Sequence, residues 1–207
     1  CWRGQMGAAE GDGGGVVRLL GSRRMARSVH ILSLLDDDDI EWLVQVGLRL
    51  SLPPVAPLVE EGLRNPFLYI ILRGAFLVTQ CGTQGGGERS LSVIQRGELV
   101  GELSFLDARP PSATVRAALQ SQVLAVARSE VARKLQNDLA FAARFYRALG
   151  ITVAMRLRAQ TRGGEADEEP DLEQLGLVTV DEGRFEAIML RLEGQPDAYP
   201  ADEDAVS

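Results

Sequence analysis

Between Gly101 and Ala117 the chain reads G-E-L-S-F-L-D-A-R-P-P-S-A-T-V-R-A, a set of residue types that can hold an anion. A phosphate ester carrying a ribose hydroxyl requires backbone N–H donors on a helical turn, one cation and one acceptor. Gly101 lets backbone come close to a ligand, and Glu102 offers a carboxylate that can accept from a hydroxyl. Leu103 to Asp107 is long enough for one helical turn, whose leading N–H groups, at Leu103 and Ser104, would face the anion. Ser112 and Ala113 add two more N–H groups and a hydroxyl, and the nearest cation is Arg109, whose guanidinium can fork onto phosphate oxygens. The candidate ligand-binding residues are therefore Gly101, Glu102, Leu103, Ser104, Arg109, Ser112 and Ala113.

Strands must deliver this stretch. From Leu48 to Arg128 the apolar pattern has the two-residue period of β-structure, broken at Pro53-Pro54, Glu61-Gly62, Arg73-Gly74 and Arg96-Gly97. Leu48–Leu52, Pro57–Glu60, the two halves of Phe67–Val78, Ser90–Ile94, the segment entering Gly101, Thr114–Ala117 and Val123–Val126 read as short strands. That spacing predicts a β-sandwich or barrel. The tract Cys81 to Gly87 is rich in glycine but is followed by no Lys-Ser/Thr, so it reads as a hairpin loop and not as a nucleotide-triphosphate loop.

Helical patterns flank the strands. Asp36 to Asp39 precede Ile40, Leu43, Val44 and Gly47 at i, i+3, i+4 and i+7; consecutive aspartates at a helix start cap free N–H groups, whereas a calcium loop would alternate its ligands and turn on glycine. Ser129 opens a short helix, Asn137-Asp138 caps the next, and a long helix extends to about Ala159. Along it Phe141, Phe145, Ala148, Thr152, Met155 and Ala159 recur every three or four residues as a coiled-coil seam, and Tyr146, Leu149, Val153 and Leu157 form a second apolar stripe. Two stripes suit a helix packed on its own domain and also on a second copy.

Gly101-Glu102, the short connector and the closing Ser112-Ala113-Thr114-Val115 resemble the phosphate-binding cassette of cyclic-nucleotide-binding domains, a family that includes bacterial catabolite activator proteins and the regulatory subunits of cyclic-AMP-dependent protein kinase. Leu68-Tyr69-Ile70-Ile71-Leu72-Arg73-Gly74 is similar to the strand-turn-strand that precedes the cassette there. The resemblance covers residues 30 to 160 and implies an eight-stranded, jelly-roll-like β-roll with a short N-terminal helix and a long C-terminal helix. It implies cyclic AMP or cyclic GMP as ligand, a homodimer formed through the long helix, and contact of that helix, at Thr152, with the bound base. One position departs from the pattern. The arginine that meets the phosphate stands directly before the Ser-Ala pair in the family, and here that place is held by Pro111, which offers neither charge nor N–H. Two readings stay open: a sensor in which Arg109 reaches the phosphate, or a degenerate cassette in a scaffold that binds no ligand.

The remainder bounds the function. Residues 1–24 are rich in Gly and Arg without periodicity and read as a disordered extension, residues 25–160 as the domain, and residues 161–207 as an acidic tail with a strand near Leu172–Val180, a helix near Phe185–Leu192 and a disordered end. Residues 163–207 hold fourteen Asp and Glu against two Arg, net −12 of the chain's −7, and such a charge repels nucleic-acid phosphates. A helix-turn-helix module would need more residues and a basic face. DNA binding is thus not expected, and a protein partner is. No apolar run reaches a membrane span, and the two cysteines, Cys1 and Cys81, and the one histidine, His30, form no metal or disulfide pattern, which places the chain in the cytoplasm. Glu102 and Asp107 are the nearest approach to a catalytic pair, but nothing shapes a leaving-group pocket beside them, so no enzymatic activity and no cofactor are expected.

Overall fold

The computed structural model describes residues 31–81, 87–161 and 182–194. A 3-10 turn, Ile31–Leu34, leads into α1 (Asp37–Val46) and then eight strands: β1 (Leu48–Leu52), β2 (Pro57–Val59), β3 (Phe67–Arg73), β4 (Ala75–Cys81), β5 (Glu88–Gln95), β6 (Leu99–Val100), β7 (Thr114–Ala117) and β8 (Ser121–Ala127). Helix α2 (Glu102–Asp107) interrupts the strands, and α3 (Arg128–Asn137), α4 (Leu139–Thr161) and α5 (Glu182–Glu193) follow them. The strands form two antiparallel four-stranded sheets, ordered β1-β8-β3-β6 and β2-β7-β4-β5. The protein is the eight-stranded β-roll with flanking helices that the resemblance implied. The residues of the glycine-rich hairpin tip, the strand near Leu172–Val180, the amino-terminal extension and the end beyond residue 194 lie outside the described residues.

Strand β3 explains why its sequence is the most apolar in the chain. Alternate side chains point to opposite faces of a strand, and both faces of β3 are covered. Leu68, Ile70 and Leu72 enter a core shared with the helices, while Tyr69 and Ile71 enter the space between the two sheets with Phe76, Val115 and Val123. Each such fully buried aliphatic side chain contributes about 1.5–3 kcal/mol relative to exposure. The turn from β3 into β4 requires a glycine: Gly74 has φ +89°, and a Cβ there would collide with the side chain of Ser121 and approach its Cα to 2.8 Å.

The aspartate run caps and anchors a helix. Asp36 Oδ1 accepts from the Asp39 N–H at 2.9 Å while Asp39 Oδ2 accepts from the Asp36 N–H at 3.1 Å, a reciprocal capping box at the start of α1. Asp39 is 1% exposed, and Arg144 of α4 grips it through two donors at 2.7 and 3.0 Å. A buried carboxylate is tolerable because it is paired in this bidentate way. Carboxylates far apart in sequence from Arg144 thus fix α4 across the helical layer.

Two features depart from the sequence reading. Phe141, Phe145 and Ala148, the first half of the expected dimer seam, are buried inside this chain's own core, with Phe141 edge-on to Trp42 at 5.3 Å and stacked on Phe145 at 5.3 Å. Leu149 of the second stripe is buried with them, and of the two stripes' described residues Tyr146 and Leu157 are exposed while Thr152, Val153 and Met155 are half-buried. The sequence pattern could not tell a face covered by α1 from one covered by a partner. The second departure is the packing of α5: the expected helix near Phe185–Leu192 is present, but its Phe185, Ile188, Met189 and Leu192 are seated in the helical core and not in a separate tail. Its charged residues hold it in place. Glu193 accepts from Arg73 at 2.8 Å and from Arg96 at 3.0 Å, and Arg191 donates to Glu41 at 3.0 Å.

Candidate functional site

The cassette begins where β6 ends. Gly101 has φ +94°, and a Cβ there would stand 3.1 Å from the Phe67 carbonyl oxygen, so the sharp entry into α2 is open to glycine alone without strain. The N–H groups that open α2 have no partners within the helix, as at any helix start. Glu102 and Ser104 of this turn are buried, while Leu103 is half exposed and Leu106 points outward.

Two supports hold α2 in place. Asn65 is buried and closes on its own neighbourhood, donating from Nδ2 to the Phe67 carbonyl at 2.9 Å and accepting through Oδ1 from the Phe67 N–H at 3.2 Å and the Tyr69 hydroxyl at 3.0 Å. Burial pushes the Tyr69 phenol above its ordinary pKa, so it remains a donor. Arg128, at the head of α3, donates to the carbonyls of Asn65 at 3.2 Å and of Ser104, and its guanidinium lies over the Phe105 ring at 5.6 Å. The second support is α4 itself, where Phe145 meets Phe105 edge-on at 5.9 Å.

At the heart of the site is a pair that the sequence reading missed. Arg156 of α4 donates from Nη1 to Glu102 Oε1 and from Nη2 to the Leu99 carbonyl at 2.7 Å, and Nη2 also stands 3.6 Å from Glu98 Oε2. The Glu102 side chain is 4% exposed and that of Arg156 30%, so the ion pair is largely withdrawn from water. Arg156 stands one turn after Thr152 on the same helix face, but Arg144, Arg147 and Arg158 lie on the same helix, so the sequence alone did not single it out. Thr152 donates its hydroxyl to the Ala148 carbonyl at 3.0 Å and keeps to its own helix.

The other expected residues are placed as follows. Ser112 is exposed and its carbonyl accepts from Gln80 Nε2 at 3.0 Å; Ala113 is half-buried next to it, and Thr114 accepts from the Glu61 N–H at 3.1 Å. The Gly62 N–H donates to the Pro111 carbonyl at 2.8 Å, so the β2–β3 connection brackets the end of the cassette. Arg109 stands in solvent, its side chain 83% exposed, with Asp107 as its salt partner at 3.9 Å. The fold thus joins Gly101, Glu102, Leu103 and Ser104 on one helical turn and brings Arg156 to them.

The family model of the cyclic nucleotide-binding domain matches residues 49–138. Those residues belong to that family. Solved structures share the fold around the domain. A cyclic nucleotide-binding domain from Methylobacillus flagellatus is 21% identical with a TM-score of 0.59, covering 62% of this chain and 72% of that one. The N-terminal domain of a transcriptional regulator from Streptomyces coelicolor is 26% identical with a TM-score of 0.53, covering 70% of this chain and 98% of its own. The catabolite activator protein of Thermus thermophilus is 23% identical with a TM-score of 0.54, covering 77% and 79%. No curated protein matches the chain in sequence. Among the described residues, no helix is long and apolar enough to cross a membrane, and no group of three acidic, His or Cys side chains is placed to hold a metal ion.

Proposed function

We propose that this chain is a regulatory sensor that binds a cyclic mononucleotide, cyclic AMP or cyclic GMP, at the turn Gly101–Ser104 and passes its occupancy to a protein partner through α4. The observation that carries this reading is the ion pair between Arg156 and Glu102. Glu102 is the acceptor that a ribose hydroxyl would use, and it is held by a side chain of the signalling helix. A ligand that engages Glu102 competes with α4, so binding and helix position are coupled through one carboxylate. Phe105 on Phe145 adds a second point at which movement of α2 reaches α4. The phosphate would lie on the N–H groups of α2 and of Ser112 and Ala113, with Arg109 turning in from solvent to pair with it.

The partner is a protein and not DNA. Residues 163–207 carry net −12, which opposes approach to a phosphate backbone, and the described part of that segment, α5, packs back on the chain's own core. Tyr146 and Leu157, 50% and 60% exposed, and the partly buried Val153 and Met155 leave an apolar strip on α4 for a second copy of the chain. No step of this reading is catalytic.

A second reading, an assembly module of the same fold without ligand, is favoured by Pro111 in the arginine's place and by the exposure of Arg109. Melting of the protein with and without cyclic nucleotide separates the two. A ligand bound only by the folded state at a hundred-fold excess over Kd adds about 2.7 kcal/mol. The sensor reading also requires faster amide exchange in the last turns of α4 when nucleotide is present. An unchanged melting temperature with millimolar cyclic AMP and cyclic GMP would leave the assembly module.

A further inference from the structure

Glu98 ends the turn that joins β5 to β6, three residues before Gly101. Its Oε1 accepts from the Gln95 N–H at 3.1 Å, which aims Oε2 at Arg156 Nη2, 3.6 Å away. Arg156 therefore stands between two carboxylates, bonded to Glu102 and just beyond hydrogen-bond reach of Glu98. The charged groups that face Glu98 are Arg156 from α4 and Glu102 from α2; Arg96 of its own turn is engaged by Glu186 and Glu193 of α5. With Arg156 committed to Glu102, burial outweighs the guanidinium's attraction and holds the Glu98 carboxyl above its ordinary pKa.

We propose that Glu98 is a positioning residue that takes over Arg156 when a ribose hydroxyl occupies Glu102. A hydroxyl donating to Glu102 weakens that carboxylate's hold on the guanidinium. A shift of less than about an ångström then brings Nη2 within hydrogen-bond length of Glu98. Without the second carboxylate, the ligand would leave a partly desolvated cation less well compensated, which is costly. With it, the exchange keeps one ion pair throughout, and the end of α4 moves from the cassette towards the β5–β6 turn. The inference rests on the nucleotide reading above and adds the residue that receives the displaced helix.

The exchange has a protonic signature. Pairing with Arg156 favours the charged form of Glu98, so its pKa falls on binding and nucleotide binding releases a proton within the window between the free and bound values. Affinity therefore rises with pH across that window, by at most about tenfold per pH unit, and levels off above it. Calorimetric titration of cyclic AMP in buffers of different ionisation enthalpy reads both quantities. Proton release and the pH slope are expected in the wild type and lost in Glu98→Gln; a wild type that binds with no pH slope, or a variant that keeps it, overturns the proposal while leaving the nucleotide reading intact. A ligand-free arm decides the exchange even if no nucleotide binds. Carboxyl NMR titration should show the Glu98 pKa falling in Glu102→Gln, and falling by much less when Arg156→Gln is already present. Equal falls in both backgrounds would mean loss of the Glu102 charge alone, with no transfer of Arg156.

Discussion

Replacing Arg156 by Gln tests the coupling between α4 and the cassette. The substitution leaves a Glu102 side chain that is 4% exposed without its cation, and removes a donor to the Leu99 carbonyl. Breaking a fully buried ion pair from one side costs about 3–5 kcal/mol. Because the Arg156 side chain is 30% exposed and water can follow it in, the lower end applies, about 3 kcal/mol. For a chain of this size that corresponds to a fall in Tm of roughly 6–12 °C. Glu102→Gln alone should cost less, about 1.5 kcal/mol, since the cation it strands can turn to Glu98 or to solvent. The double variant should then be no less stable than Arg156→Gln alone, because no charge is left buried. Urea denaturation of the four proteins gives the interaction energy directly. Costs that add to within about 0.5 kcal/mol would refute the coupling and make the contact incidental.

Gly101→Ala should destabilise by about 1–2 kcal/mol from its positive φ alone, and Gly74→Ala by more because of the collision with Ser121; thermal melts that leave Gly74→Ala at wild-type stability would contradict the turn geometry. Arg109→Ala should change unliganded stability by less than about 0.5 kcal/mol, since the side chain has only an exposed partner to give up, yet weaken cyclic AMP binding by about 1.5–3 kcal/mol. Arg116→Ala is the control for general electrostatics, and equal losses at both would rule out a placed fork. Glu98 also bears on pH. Its folded-state pKa is raised, so the stability it contributes is full below the unfolded value and lost as pH rises through the folded value. Glu98→Gln should accordingly gain stability over the wild type at neutral pH, and the gain should fade as pH falls through the region above 4.5.

Most of the architecture was legible because strands and helices here follow their local rules. The apolar alternation, the glycine turns and the aspartate cap each predict one feature, and each is present. What eluded the sequence depended on distance. Arg156 lies 54 residues from Glu102, and nothing in the pattern of α4 says which of its cations turns inward. The seam at Phe141, Phe145 and Ala148 was legible as an apolar face but not as a face covered by α1, because periodicity reports that a stripe must be buried and not against what. The helix near Phe185–Leu192 was legible, but the acidic composition around it hid that Phe185, Ile188, Met189 and Leu192 seat it in the domain's own core. Its position in the cassette points to Arg109, and the fold leaves that side chain in solvent beside Asp107.

The most direct measurement is isothermal titration of the full chain with cyclic AMP and cyclic GMP. The account predicts saturable binding of one nucleotide per chain, weakened by Glu102→Gln. Absence of heat at millimolar ligand for both nucleotides, with an unchanged melting temperature, would contradict it and leave a β-roll whose cassette serves assembly.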